Sequence, residues 1–341
     1  MPSLLERHQD LMRTAGALRA RDAAERLGTT EAALVACGAM GPARALRPDW
    51  AGLIGALPRA GRVMALTRND HAVHERHGVY TDVSSGPGHI LVLGPEIDLR
   101  LFPARWSHAY ALAGDRPSIQ VFGRDGAAVH KVFATEATLR EGWESIMADF
   151  MADVVDAPPQ VPPAIRVASE GQVDGAALRE SWLALRDTHD FLPMLRRHRA
   201  SRRQAFRLAG DDLARQLAPH AGTAIIEGAA GSEVPVMVFV GNPGGIQIHT
   251  GPIHRLRRTP GWFNVLDPAF NLHLREAGVA SVWRIVKPTE DGMVTSIELL
   301  DAGGEVVALI FGARKPGQPE REDWRTLVAE VADRHVAEVV A

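Results

Sequence analysis

Fourteen histidines and one cysteine, Cys37, bound the chemistry open to this chain of 341 residues. A single cysteine excludes an internal disulfide and any cysteine-cluster metal site, and it fits a reducing cytoplasm. His71, His74 and His77 sit at a spacing that would put the first two on one helical face, where they could bind a metal. The flanking Thr67-Arg68-Asn69-Asp70 and Gly78-Val79-Tyr80 read instead as a loop between strands. His189 is the more productive residue. With Trp182 to Leu195 read as one helix, it lies a turn from Leu185 and from Leu192 and shares their inward stripe. A histidine on an apolar face is usually a satisfied core residue, and residue type alone does not make it a ligand. Pro193, four residues on, would kink or end that helix. Arg196, Arg197, Arg199, Arg202 and Arg203 crowd the turn that follows. The net charge of -3 nevertheless argues against a general nucleic-acid binder. No P-loop, Gly-x-Ser-x-Gly or His-Glu-x-x-His motif is present, and Gly241-Asn242-Pro243-Gly244-Gly245 reads as a hairpin turn.

The elements that must position these residues come in two copies. Arg140-Glu141-Gly142-Trp143 returns as Arg321-Glu322-Asp323-Trp324 at an offset of 181 residues. Ser118-Ile119, Gly126 and Phe133 return as Ser296-Ile297, Gly304 and Phe311 at 178, and a Pro-x-x-[Asp/Asn]-Leu-x-Leu core links Pro95 to Leu101 with Pro268 to Leu274 at 173. A period this long marks a duplicated domain and not a solenoid array. The same registers set His8 against His189 and Arg100 against His273. The copies thus diverge where chemistry would occur, and a single site at their seam is the expectation.

Each copy reads as helices, then strands, then a closing helix. Helices are expected over about residues 3–38 and 174–218, strands over about 61–134 and 222–314, and closing helices near 136–152 and 319–338. Strand runs that follow one another without helices between them favour antiparallel pairing, so the class is α+β, each repeat a large antiparallel sheet with flanking helices. The expected division is an N-terminal repeat over 1–155, a proline-rich linker over 156–173 and a C-terminal repeat over 174–341. Asp22 to Leu34 resembles a helix-turn-helix, with Thr30 placed to cap its second helix. Glu31, Ala32, Ala33 and Leu34 offer no base-reading donors, so a helix pair packed on a sheet is the better reading. No apolar stretch is long enough to span a bilayer and no signal-peptide core is visible, so the expectation is a cytoplasmic protein without membrane insertion.

The whole chain resembles the bacterial cytoplasmic haemin transport and degradation family, the HemS-like proteins of haem-uptake operons. The resemblance rests on Ala65-Leu66-Thr67-Arg68-Asn69 with His74-Glu75 and Gly78-x-Tyr80, on Asp98-Leu99-Arg100-Leu101-Phe102, and on Asp187-Thr188-His189-Asp190-Phe191 with Arg202-x-Gln204-Ala205-Phe206. Its longest block runs from Gly261-Trp262-Phe263-Asn264 to Arg275-Glu276, followed by Ala280-Ser281-Val282-Trp283 and Lys287-Pro288-Thr289. The resemblance implies a tandem-repeat protein holding one haem b in a cleft between a helix and the C-terminal sheet. It makes His189 the proximal iron ligand and Arg100 the residue at the other face of the iron, where a permanent cation can hold water or hydroxide. It supplies Arg202, Lys287 and Arg314 for the propionates and Phe239 and Phe311 as apolar walls. Where relatives carry a Gln-x-Tyr pair before Gly-x-Arg, this chain has Leu309-Ile310-Phe311 before Gly312-Ala313-Arg314, which leaves the haem edge less polar. The partners it implies are the inner-membrane haem ABC transporter, a downstream haem acceptor or reductase, and a second copy in a homodimer.

Three functions stay open on the sequence: a haem carrier, an oxygen-dependent haem-degrading enzyme resembling haem oxygenase, and a haem-free scaffold of the same fold. The retained His189 and Arg100 weigh against the scaffold. Nothing separates carrier from enzyme, because the redox chemistry belongs to the cofactor.

Overall fold

The computed structural model describes residues 2–16, 18–152, 157–161, 170–315 and 317–337. The chain resolves into two compact units, one comprising residues 1–68, 74–165 and 241–247, the other residues 69–73, 166–240 and 248–341. Both are α+β, and they follow one plan.

The first unit opens on three helices, α1 (Leu4–Ala15), α2 (Ala20–Leu27) and α3 (Glu31–Ala36). Gly28 ends α2 in the left-handed region at φ 62°, donating back to the Ala24 and Glu25 carbonyls, a conformation that suits a residue without Cβ. Thr30 then caps α3 through its hydroxyl on the Ala33 amide, as its sequence position predicts. Next come β1 (Ala43–Ala45), α4 (Trp50–Ala56), β2 (Gly61–Arg68), β3 (Ala72–Val79), β4 (Val83–Gly86), β5 (His89–Leu93), β6 (Asp98–Leu101), β7 (Trp106–Leu112), β8 (Ser118–Gly123), β9 (Ala128–Thr138) and α5 (Arg140–Phe150). The strand order is β1-β7-β8-β9-β2-β3, with a shorter run β6-β5-β4.

The second unit repeats this with α6 (Gly175–Leu183), α7 (Phe191–His198), α8 (Arg202–Ala209), β10 (Ala214–Leu217), α9 (Ala221–Gly231), β11 (Val236–Asn242), β12 (Gly245–Gly251), β13 (Leu256–Thr259), β14 (Trp262–Leu266), β15 (Phe270–Arg275), β16 (Ser281–Thr289), β17 (Gly292–Leu300), β18 (Val306–Gly312) and α10 (Glu322–Arg334). Its order, β10-β16-β17-β18-β11-β12 with β15-β14-β13, is that of the first unit strand for strand. The duplication is therefore a duplication of topology as well as of sequence, and β11 to β12 is the hairpin expected around Gly241.

In each unit both faces of the long sheet are covered. One face carries the closing helix, with Trp143, Ile146 and Phe150 of α5 packed with Leu53 and Ile54 of α4, and Trp324 and Val328 of α10 packed with Ile225 and Ile226 of α9. The other face carries the opening helices, through Ala32, Val35, Tyr110 and Phe122 in the first unit and Trp182, Phe191, Phe206 and Trp283 in the second. Covered on both sides, β8 is buried along its whole length and β17 over its last seven residues. Burying each such aromatic stabilises the fold by about 1.5–3 kcal/mol.

The structure alters three sequence expectations. α9 was expected as strand and α4 was not expected at all. Thr67, Arg68, Gly78 and Val79, expected as loop, lie in strands β2 and β3, and along β3 His74 and His77 point to opposite faces and cannot share a metal. Among the described residues no group of three histidine, cysteine or acidic side chains could hold a metal ion. The helix-turn-helix look-alike is, as expected, a packed pair, since Glu31 to Val35 of α3 are all buried. Half of the expected proline-rich linker lies outside the described residues. Within it, the Pro159 and Gln160 carbonyls accept from the Thr30 and Thr29 hydroxyls at 2.5 and 2.8 Å, so this stretch is held against the α2–α3 junction. No helix among the described residues is long and apolar enough to cross a membrane.

Candidate functional site

The run from Trp182 to Leu195 is not one helix. α6 ends at Leu183, a single 3-10 turn spans Thr188–Asp190, and α7 starts at Phe191. The turn is nucleated by Asp187, whose carboxylate accepts the His189 backbone N–H at 2.8 Å. Pro193 then falls in the first turn of α7, where no intrahelical donor is needed, so it neither kinks nor ends the helix. Phe191, Met194 and Leu195 take the buried stripe of α7. His189 does not join them: its side chain is 91% exposed.

That exposure is combined with a fixed orientation. His189 Nδ1 is 2.6 Å from the same Asp187 oxygen. The backbone hydrogen bond from His189, with its side-chain bond behind it, holds the Asp187 carboxyl below the usual range, so an anion stands at Nδ1. An anion there selects the tautomer with the proton on Nδ1 and leaves the Nε2 lone pair directed outward, the arrangement that orients a metal-binding imidazole.

Beneath this turn lies a buried charge cluster. Lys287 on β16 donates to Glu298 Oε1 at 2.6 Å, Arg202 at the start of α8 donates to Oε2, and Ser296 Oγ donates to Oε1 at 3.2 Å. Glu298 is fully buried. Burial opposes its ionisation, but Lys287 and Arg202 outweigh that and hold its carboxyl below the ordinary range. Two basic side chains share one carboxylate; burial draws the Lys287 ammonium below its usual range while Glu298 opposes that, and with both cations protonated the cluster carries one net positive charge. The expected free cations are thus already partnered, and Glu298 is the residue that sequence reasoning missed. Its signal was visible: it is the only charge in the apolar run from Val294 to Leu300.

The cluster connects the turn to an apolar face. Lys287 Nζ lies 4.6 Å from the Phe191 ring centroid and 5.8 Å from that of Phe311, and the Arg202 guanidinium 5.3 Å from Phe191. Phe311 meets Phe239 edge to face at 5.3 Å, and β11 and β18 pair Phe239 with Leu309 and Met237 with Phe311. These four side chains are half-buried and point to the same side. The second unit therefore brings together an exposed imidazole, a net-positive cluster and an apolar wall.

The other expected residues have partners or surroundings of their own. Arg314 pairs with Asp291 at 2.9 Å. Arg100 lies in the first unit on β6, half-buried, donating to the Asp98 carboxylate and to the Leu99 carbonyl at 3.2 Å. Burial raises the Asp98 carboxyl while the Arg100 hydrogen bond draws it down. His8 on α1 is 6% exposed, with no hydrogen-bond partner for Nε2 among the described residues, and is not accessible to a ligand in the way His189 is. A pocket of about 330 Å³ in the second unit is lined by a different set, including His220, Thr223, Leu274 and Glu276.

Comparison with known proteins returns one picture. The sequence model of the haemin-degrading HemS/ChuX domain matches residues 28–150 and again 199–331. The hemin transport protein HmuS of Yersinia pestis is 39% identical over 324 residues, covering 93% of this chain and 94% of that protein. The crystal structure of apo-PhuS, a heme-binding protein from Pseudomonas aeruginosa, is 48% identical and superimposes with a TM-score of 0.92 over 96% of this chain and 98% of that one. The heme degrading enzyme ChuS of Escherichia coli O157:H7 is 34% identical, with a TM-score of 0.89 over 96% and 98%.

Proposed function

The chain belongs to the haemin-degrading HemS/ChuX family, whose domain it carries twice, and from that premise we propose that it is a cytoplasmic haem-binding protein of a bacterial haem-uptake system. The observation that carries the reading is His189. An exposed imidazole whose Nδ1 is held by a carboxylate leaves Nε2 available as an iron ligand. The ligand is haem b as imported. Phe239 and Phe311 would give its macrocycle an apolar wall, and Arg202 and Lys287 would supply the cations for its propionates. Arg314, paired with Asp291, is the third cation proposed for the propionates. Arg100 is the proposed arginine for the iron's other face, on its chemistry: a guanidinium stays cationic at any working pH and donates without titrating.

Haem supplies its own redox chemistry when bound. The chain's part is to orient the imidazole, neutralise the acidic edge and hold an apolar wall against water. Delivery from the inner-membrane haem ABC transporter, passage to an acceptor or reductase, and homodimer formation belong to the same proposal.

Haemin titration tests it. Binding near one to one with a Soret band is expected, and His189→Ala is expected to alter or abolish the band; an unchanged spectrum in that variant sinks the ligand assignment. Degradation is tested on the haem complex with ascorbate or a reductase under oxygen, with catalase present. Loss of the Soret band with a defined tetrapyrrole and released iron marks an enzyme, and a stable complex that passes haem to an acceptor marks a carrier.

A further inference from the structure

The turn and helix that carry His189 expose one continuous stripe. His189, Leu192 and Arg196 follow one another at spacings of three and four, so they share the face turned away from buried Phe191, Met194 and Leu195, and Arg199 follows at the helix end. Leu192 is 48% exposed, an apolar side chain left in water within a turn of the imidazole. Arg196, Arg197 and Arg199 are exposed and carry no ion pair among the described residues, whereas their neighbours Arg203 and Arg207 are both drawn to Glu170. The negative end of the α7 dipole accounts for cations in its last turn. It does not account for Arg199, which lies past that turn in the left-handed region at φ 51°, where a glycine would be unstrained.

We propose that this stripe docks an acidic protein surface, the carboxylate-rimmed mouth of a haem acceptor, so that the acceptor meets the iron ligand's own helix. The proposal rests on the haem-binding reading of His189. Three unpaired charges are too few for a polyanion-binding face on a chain of net charge -3, since duplex binding draws on many phosphate contacts. All three are arginines beside an exposed leucine and not lysines, which is the composition of a protein interface. Such a surface acts mainly on the association rate, and its effect is screened by salt.

The test uses full-length protein and one designed four-helix apo-acceptor in two versions, with glutamates or with glutamines around its haem mouth. At low salt, transfer to the glutamate version should be at least tenfold faster than to the glutamine version, and the advantage should shrink at high salt. R196E/R197E/R199E should abolish the advantage while leaving haem affinity and the slow transfer to the glutamine version unchanged. Equal wild-type rates to both acceptors, or an advantage that survives the triple change, overturn the proposal. So does a triple change that costs only binding to duplex DNA or to phosphatidylglycerol vesicles. Haemin titration beforehand separates the two failures: without haem binding the His189 reading falls, and the stripe is then judged by anisotropy of the labelled glutamate bundle on the apo-protein. There, binding by the wild type and not by the triple variant upholds it, and no difference overturns it.

Discussion

An imidazole 2.6 Å from a carboxylate two residues earlier in the chain is a self-contained device, since Asp187 both starts the turn and selects the tautomer. Its removal should therefore act on the ligand without touching the core. Asp187→Asn is expected to weaken haemin binding by about 10–100-fold, the usual cost of a lost orienting partner, with a shifted Soret band and an unchanged melting temperature; binding equal to wild type would refute the orienting role. The sequence led to His189 through resemblance and misjudged its surroundings. The helical spacing of Leu185, His189 and Leu192 suggested an inward stripe, but only Leu185 is buried, because Asp187 breaks the periodicity and restarts it one turn later. The signals of that restart, an Asp-Thr pair followed by a proline near the new N-terminus, are those of helix entry. Glu298 escaped notice for a related reason. A buried carboxylate is legible only once its two cations, far apart in sequence, are seen to meet on it.

Elements were legible where their periodicity was, and obscure where burial erased it. Ala221 to Gly231 is a helix with six buried residues and adjacent isoleucines, so it shows neither an amphipathic stripe nor high propensity and imitates a strand. The tryptophan of the Arg-Glu-x-Trp signature, in contrast, is explained by packing. Trp143 and Trp324 are the buried anchors of the closing helices, and Trp324 also donates to the Thr295 carbonyl at 3.1 Å. Where the first copy has Gly142 the second has Asp323, and the difference is steric: a Cβ at Gly142 would lie 1.9 Å from the Arg59 carbonyl oxygen. Gly142→Ala should thus cost about 1–3 kcal/mol by overpacking, measured by urea denaturation, although alanine is the better helix former; a stabilised variant would refute this contact. A second prediction concerns the strands. His130 on β9 meets Tyr80 at 2.7 Å and Thr67 of β2 at 3.0 Å in a dry core. Burial pushes its imidazole down to about 4 from 6.5. The folded ring stays neutral while the unfolded ring takes a proton, so its contribution is complete above pH 6.5 and declines by about 3 kcal/mol as pH falls to 4. His130→Gln should remove that part of the slope in denaturation curves collected from pH 7 to 4, and a slope unaltered by the substitution would refute the assignment.

At the scale of the whole molecule, the duplication was the most legible property, because offsets of 173 to 181 residues survive in exposed turns and buried anchors alike. What no offset revealed is that the compact units depart from the sequence halves. Residues 241–247 complete the first unit, where Gly244 accepts from Trp106 Nε1 at 2.8 Å and Asn242 donates to the Arg68 and Val129 carbonyls at 2.9 and 2.8 Å. Residues 69–73 complete the second, where Asn69 donates to the Val307 carbonyl at 2.9 Å and His71 accepts from the Arg275 amide at 2.8 Å. Fragments 1–165 and 166–341 made separately should each lack these groups, show reduced cooperativity in thermal melts, and recover a sharp transition only when mixed. Two fragments that melt sharply alone would overturn this account.

The borrowed segments also bear on ancestry. A single-copy protein built on this plan would have no second half from which to take its missing strand-turn residues, and exchange with an identical molecule would be a way to complete it. In such a symmetric pair every mutation would appear twice. A chain that carries both copies is free of that rule, and here one copy turns its histidine outward while the other buries its own.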